Sequence, residues 1–300
     1  MTTLLLFVLF TLGLIGGFFS GLLGIGGGII MVPLLLYVPS LLGLEAISMK
    51  TAAAITIVQS LAGSFSGVVI HIKNKSVHPQ LLIYMGSGVV FGSLMGSFFS
   101  KQINGEIMLG IFAGMALIAT VLMFIPSKKD DDLPVENVEF NKYLAFFVAL
   151  LVGILGGIVG QGGAFILIPL MLYVLKIPTR IALGSSLAIT FLSASAGFIG
   201  KWGTGQIPFV MAIVLVVGAL IGAQLGGRLS NRLPTANLRT ILSVLITFTA
   251  LKMWFDLSPM VGYLLTIAFV SFLLVLLKRM RKQKLSKLNQ TIIHFIFSLL

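Results

Sequence analysis

Residues 17–37 read GFFSGLLGIGGGIIMVPLLLY, and residues 153–173 read GILGGIVGQGGAFILIPLMLY. The two stretches align without a gap, with a glycine cluster in the middle of each and a proline a few residues later. Such a match within one chain indicates an internal duplication. Glycine lowers helix propensity and permits a left-handed backbone, so a helix made from either stretch should break at the cluster. We therefore predict two homologous halves, each containing a broken helix.

The chain is too apolar for a soluble protein. Of its 300 residues 58% are hydrophobic and 9% are charged, whereas a soluble protein carries about 25% charged residues. The long apolar segments of the chain are apolar on every face, unlike the alternating strands of a membrane barrel. Only helices can therefore satisfy the hydrogen bonds of their backbone in lipid. The prediction is an all-α, polytopic helical membrane protein. Charge-free runs close to the length of one span recur at 51–70, 79–100, 107–127, 143–175, 181–200, 202–227 and 257–277.

The duplication extends beyond the glycine clusters and sets the domain boundaries. Small residues spaced by four recur at Gly88, Gly92, Gly96 and Ser100 and again at Gly218, Gly222, Gly226 and Ser230. We predict a first transmembrane repeat at 1–126, a hydrophilic linker at 127–142, a second repeat at 143–256, an extra transmembrane helix at 257–277 and a basic tail at 278–300.

The distribution of Lys and Arg residues predicts the orientation of the two halves. If each glycine-interrupted segment counts as two elements, sixteen of these residues share one side of the membrane and three lie on the other, at Lys101, Lys201 and Lys252. Counting each segment as a single span gives twelve against seven. The positive-inside rule favours the first count. Each half then has five elements, so the second is inverted, with the amino terminus outside the plasma membrane and the tail cytoplasmic.

Inverted repeats with broken helices are a recurring plan of secondary transporters, whose substrate site lies where the breaks meet. The unpaired N–H groups and positive dipole at the start of each short helix attract anions. We therefore predict a permease for small anions, with backbone donors at Gly26, Gly27, Gly28, Gly162 and Gly163. Pro33 and Pro169 are expected early in the short helices, where a missing N–H costs little, or to prolong the break. The alternative is that the glycines only allow close packing of helices.

Side chains near the breaks are the other candidate ligands. Gln161 in the second cluster and the hydroxyls of Thr51, Ser185 and Ser186 near helix starts could donate to a bound anion, and Lys50 could supply positive charge. The hydroxyls could equally cap their helices, and Lys50 could reach the membrane interface. Four mid-helix polar residues could face a cavity or bond a neighbouring helix, namely Thr56, Gln59, Thr190 and Ser193.

Several function classes lack the residues they need. No Asp or Glu lies deep in a predicted span, which argues against a cation antiporter with a carboxylate relay. The chain has no cysteine, its histidines form no buried cluster, and GIGGG lacks the GK[ST] ending of a nucleotide loop. We predict no metal, no cofactor and no enzymatic activity, leaving an anion channel, and more remotely an intramembrane enzyme, as alternatives. Expected partners are the small anion and membrane lipid but not nucleic acid, and homodimer formation is left open.

The residues resemble the TauE/SafE family of membrane permeases, over about 5–256. The resemblance rests on GLLGIGGGIIMVPLLLY at 21–37, GIVGQGGAFILIPLMLY at 157–173, LGSSLAIT at 183–190 and GALIGAQLGGRLSNRL at 218–233. It implies transport of small sulfur-containing or organic anions, such as sulfite or organosulfonates. The first half departs from the pattern, because ISMKTAAAI replaces IALGSSLAI and puts Lys50 where the second half has a glycine. Substrate preference is therefore not carried over.

Overall fold

The computed structural model describes residues 3–23, 28–73, 77–123, 138–230, 233–267 and 269. The regular structure of these residues is entirely helical, which confirms the all-α prediction. Residues up to Met253 form one compact unit, and those from Trp254 form another. A helical stretch at 259–267 follows the last of ten helices. These are α1 Thr3–Leu23, α2 Gly28–Leu41, α3 Met49–Lys73, α4 Pro79–Phe99, α5 Gly105–Met123, α6 Lys142–Val159, α7 Ala164–Tyr173, α8 Thr179–Gly203, α9 Phe209–Ser230 and α10 Thr235–Leu257.

Seven of the described helices are long and apolar enough to cross a membrane, namely α1, α4, α5, α6, α8, α9 and α10. Large apolar side chains point away from the protein on these helices, with Phe7 68%, Phe91 60% and Phe248 70% exposed. Lipid chains solvate such surfaces, whereas water would not. The chain is therefore a multi-pass membrane protein. The predicted linker and basic tail lie mostly or wholly outside the described residues, as does the end of the predicted extra span.

Two helix pairs form the tightest packing, α1 against α9 and α4 against α6. Glycines line both contacts, which we call the glycine seams. A Cβ added to Gly17 would lie 2.2 Å from the carbonyl oxygen of Ala219, and one on Gly222 would lie 2.1 Å from that of Leu14. In the other seam a Cβ on Gly92 would lie 2.2 Å from the carbonyl oxygen of Leu150. The four-residue spacing seen in the sequence thus keeps one face of each helix free of side chains, so the backbones can touch.

The helix contacts keep the same pattern when the two halves are exchanged. Each seam joins the first helix of one half to the long glycine-spaced helix of the other. The long helices also pack on the central helices, α4 on α8 and α9 on α3, and the central helices α3 and α8 pack on each other. This pattern is what a duplicated chain with interlocked halves would give. The opposite orientation of the halves in the membrane stays a prediction.

The prolines lie deeper in the short helices than the sequence suggested. Pro33 and Pro169 are each the sixth residue of their helix, past the first turn, where a missing N–H costs little. A proline at this depth has no N–H to donate to the carbonyl four residues earlier, which for Pro33 belongs to Ile29. Thr249 of α10 contacts that carbonyl instead, with its Oγ1 3.4 Å from the oxygen. A side chain from another helix thus compensates the missing backbone bond.

Candidate functional site

The break between α6 and α7 is a tight turn built by glycine. The N–H groups of Gly160 and Gln161 both donate to the carbonyl of Gly156, at 2.8 and 3.0 Å, and thereby close the end of α6. Gly160, Gly162 and Gly163 have φ values of 81°, 63° and 72°. Residues with a Cβ rarely adopt this left-handed backbone, and a Cβ on Gly160 would also lie 1.8 Å from the carbonyl oxygen of Ala53. The predicted break is confirmed here.

The short helix α7 begins inside the protein without a capping side chain. Its first residue is Ala164, and Gly163 before it can offer no side-chain acceptor. The first N–H groups of any helix lack a carbonyl partner within that helix. Gly162 and Phe165, on either side of this start, are both buried. The start of α7 therefore presents backbone donors and the positive end of a dipole to the protein interior.

Gln161 connects the two glycine clusters. Its side chain is 1% exposed and packs against the first residue of α2, because a Cβ on Gly28 would lie 2.8 Å from the Cβ of Gln161. Neither atom of its amide has a hydrogen-bond partner in the part of the chain that the structure describes. An unsatisfied buried polar group costs about 1–3 kcal/mol. Gln161 therefore keeps an amide donor and an amide acceptor available in the protein interior.

Four more buried side chains share this lack of a partner within the described ranges, and with Gln161 we call them the central polar group. Thr190 adjoins the second glycine cluster, since a Cβ on Gly162 would lie 3.3 Å from its methyl carbon. Gln59 lies beside Gly16 of α1, with its Nε2 3.6 Å from where a Cβ would be. By the internal alignment, Gln59 of α3 and Ser193 of α8 are equivalent positions. The group consists of Ser20, Gln59, Gln161, Thr190 and Ser193.

The predicted ligands divide into two sets. Gly28, Gln161, Gly162 and Gly163 meet where the clusters approach, while Gly26 and Gly27 lie outside the described residues. The others make local contacts elsewhere. The ammonium of Lys50 is exposed and donates to the carbonyl of Lys101 at 3.1 Å.

Of the three predicted hydroxyls, that of Thr51 lies near the start of α3, whereas Ser185 and Ser186 are the seventh and eighth residues of α8. The hydroxyl of Thr51 lies 3.0 Å from that of Ser48, which also accepts from the N–H of Thr51 and so caps α3. Ser185 accepts the backbone N–H of His78 at 3.0 Å, and Ser186 donates to the carbonyl of Leu183 at 2.9 Å. Of the mid-helix residues, Thr56 bonds its own helix at Ala52. Each of these hydroxyls thus contacts a neighbouring group of the protein, but none of these contacts caps the start of the hydroxyl's own helix, and anion binding by them stays a prediction.

Comparison with known proteins places this geometry in a family. The model of the family described as Sulfite exporter TauE/SafE matches residues 9–253. The chain belongs to the TauE/SafE family. This match confirms the family resemblance that the glycine clusters indicated, and it covers nearly the whole described length of the chain.

Curated TauE/SafE relatives of this chain bear transporter names. The probable membrane transporter protein YunE of Bacillus subtilis (strain 168) is 29% identical over 232 residues, covering 71% of this chain and 84% of YunE. The probable membrane transporter protein YdhB of the same strain is 26% identical over 221 residues, covering 72% and 84%. A probable membrane transporter protein of Haemophilus influenzae is 24% identical over 201 residues, covering 65% and 75%. No solved structure matches the chain.

The structure of this TauE/SafE protein buries one further polar residue, which was predicted from the sequence to lie in an outer loop. Lys201 is fully buried at the end of α8, although it separates two apolar runs and was counted among the loop charges. The sequence did contain one sign of this burial. Lys201 stands alone between two apolar runs, so almost no loop exists there that could keep its charge in water. Among the described residues no cluster of His, Cys, Asp or Glu could hold a metal ion.

Proposed function

We propose that this TauE/SafE membrane transporter is a secondary carrier for small anions, of the sulfur oxyanion or organosulfonate class. The family description names a sulfite exporter, which supports this class of substrate. The observation that carries the proposal is the unpartnered amide of Gln161 beside the uncapped start of α7. An oxyanion would accept from the amide and from the backbone N–H groups at the same time.

The charges of the described residues favour an anion over a cation. All four acidic residues in the described ranges, Glu45, Glu106, Glu139 and Asp256, have exposed side chains. The central polar group offers amide and hydroxyl donors without a carboxylate among them. A buried metal cation or proton pathway ordinarily uses carboxylates, which compensate its charge.

The burial of the central polar group favours a carrier over a channel. Gln59, Thr190 and Ser193 are fully buried and Gln161 is 1% exposed, so water does not reach them in this conformation. A channel needs a continuous open path, whereas a carrier encloses its site between two gates. Counterflow measurements distinguish the two, because only a carrier shows saturable uptake that is accelerated by substrate on the opposite side.

The test uses purified protein in liposomes, with uptake of sulfite and of methanesulfonate measured under counterflow. Gln161→Leu keeps the size of the side chain and removes its donors, so uptake should fall at least about tenfold, the effect of losing a hydrogen bond to a charged group. The matched control is Gln224→Leu, since Gln224 is exposed on α9. Equal uptake by wild type and Gln161→Leu would remove the glycine breaks from the site, and a unitary conductance would identify a channel.

The orientation is a separate proposal, based on the distribution of Lys and Arg residues. The chain contains no cysteine, so single cysteines can be introduced at Ser127 and Ser286 without background. Both should resist an impermeant thiol reagent in intact cells and react after permeabilisation, because the linker and tail are expected in the cytoplasm. Labelling of both sites from outside would reverse the orientation.

A further inference from the structure

Lys201 places a basic amine in the protein interior. It lies in the last turn of α8, within the apolar span Ile181–Gly203, and its side chain is 0% exposed. Its Nζ donates to the hydroxyl of Ser100 at 2.9 Å and to the backbone carbonyl of Ile158 at 3.3 Å. Both partners are neutral. A lysine ammonium has three N–H donors, so these bonds use two of them.

Nothing in the described ranges compensates this charge. The acidic side chains there are all exposed, so a buried carboxylate partner is missing from that part of the chain. Removing an ammonium from water is costly, and hydrogen bonds to neutral groups recover only part of that cost. An anion that entered beside Lys201 would restore electrical balance. Lys201 would thus supply the positive charge that a buried anion needs.

A polar route leads from the surface to this lysine. Ser100 donates to the carbonyl of Ser97 at 2.6 Å and also lies 3.2 Å from the amide oxygen of Gln206. Gln206 and Thr204 bond each other and are only half-buried, next to the exposed Gly205. The chain of polar groups therefore runs from the connection between α8 and α9 inwards to Lys201.

The inner end of this route reaches the second glycine cluster. Ile158, whose carbonyl accepts from Lys201, is the penultimate residue of α6 and precedes Gly160 by two positions. We propose that Lys201 is an anion-binding residue on the substrate path, between the α8–α9 connection and the glycine break. The inference rests on the proposed anion transport and adds a charged residue to a site otherwise made of neutral donors. The rival role is structural, because a cation near the last carbonyls of α6 also stabilises that helix end.

The test measures anion affinity of the purified full-length protein by anion-dependent thermal stabilisation. The probes are thiosulfate, a dianion, and methanesulfonate, a monoanion. Lys201→Gln should weaken thiosulfate binding about ten- to a hundredfold and methanesulfonate binding less, since the lost charge interacts more strongly with the dianion. Lys201→Arg should stay within about threefold of wild type because it keeps the charge. Lys101→Gln is the control, as Lys101 is exposed and adjoins Ser100.

A second variant keeps the test decisive if Lys201→Gln does not fold. Gln206→Glu places a carboxylate one hydroxyl away from the ammonium, where it would neutralise Lys201 and compete with the anion, so thiosulfate affinity should fall at least about tenfold. If Lys201→Gln binds both probes with wild-type affinity, Lys201 is only a structural cap. If Lys201→Gln does not fold, wild-type affinity for both probes in Gln206→Glu leads to the same conclusion. A wild-type protein that binds neither probe would overturn the proposed function itself, and the inference with it.

Discussion

The glycine seams and the central polar group are both buried between helices, but they differ in how their groups are satisfied. In the seams backbone meets backbone, and the buried hydroxyl of Ser93 on α4 donates to the carbonyl of Ser193 on α8 at 2.7 Å. In the central group the hydroxyl of Ser193 itself has no partner in the described chain. The seam glycines have no side chain to offer a ligand, whereas the centre keeps donors available. We infer that the seams hold the fold and the centre serves a ligand.

The largest effect should come from adding a methyl group to a seam. Gly222→Ala puts a Cβ 2.1 Å from the carbonyl oxygen of Leu14, so α1 and α9 must separate. We expect a loss of about 1–3 kcal/mol in free energy of unfolding, measured by denaturant titration in detergent. Gly114→Ala in α5 is the control, because a Cβ there meets nothing within 4 Å. The control should gain about 0.5–1 kcal/mol through helix propensity, and equal losses in both variants would contradict close packing as the cause.

Two serines that differ in partner test the comparison directly. Ser93→Ala removes a hydroxyl that donates to the carbonyl of Ser193, so stability should fall by about 1 kcal/mol. Ser193→Ala removes a hydroxyl without a partner and should leave stability unchanged or raise it, while reducing anion uptake. Thermal denaturation and liposome uptake of both variants give the result. If Ser193→Ala destabilises as much as Ser93→Ala, the centre is satisfied in the same way as the seams.

A smaller effect is expected where α4 begins, outside the membrane span. Burial lowers the pKa of His78, whose Nδ1 accepts the N–H of Leu81 at 3.2 Å as the cap of α4. As the pH falls below about 6.5, the unfolded chain therefore binds a proton at this histidine before the folded chain does. The contribution of neutral His78 to stability is lost as the pH falls further, through the folded pKa. We expect the stabilisation of the folded protein by this cap, about 0.5–2 kcal/mol, to decrease as the pH is lowered from 7.5 to 5.5.

The control for this titration is His78→Asn, which keeps a side-chain acceptor at the cap position but has no proton to gain in this range. Its melting temperature should vary less with pH than that of the wild type. An identical pH dependence in the two proteins would assign the titration to another group.

The smallest effect should come from Lys50, the cation that the sequence offered as a candidate ligand. The structure leaves it exposed, so Lys50→Gln should change the affinity for thiosulfate by less than about threefold. Lys201→Gln measured in parallel provides the contrast between an exposed and a buried lysine. A tenfold loss in Lys50→Gln would show that Lys50 faces the site in another conformation.

The sequence predicted features that depend on local backbone chemistry. The break at 160–163 and the packing face of α9 follow from glycine spacing alone, because positive φ and close approach both require a missing Cβ. It could not predict which distant group satisfies a given hydroxyl. Ser185 is an example, since its oxygen accepts the N–H of His78, the N-cap residue of α4 in the other half. Lys201 was missed for the same reason, since its burial depends on α4 and α6 rather than on its neighbours in sequence.

The seams also constrain the order in which the protein can be made. The glycine face of α1 is covered by α9, which is synthesised after nearly two hundred further residues. At a translation rate of about 5–20 residues per second, α1 spends roughly ten to forty seconds without its partner. During that interval its small-residue face is open to any other helix in the bilayer. The α1–α9 seam can therefore close only after the second half has been inserted, however early α1 itself enters the membrane.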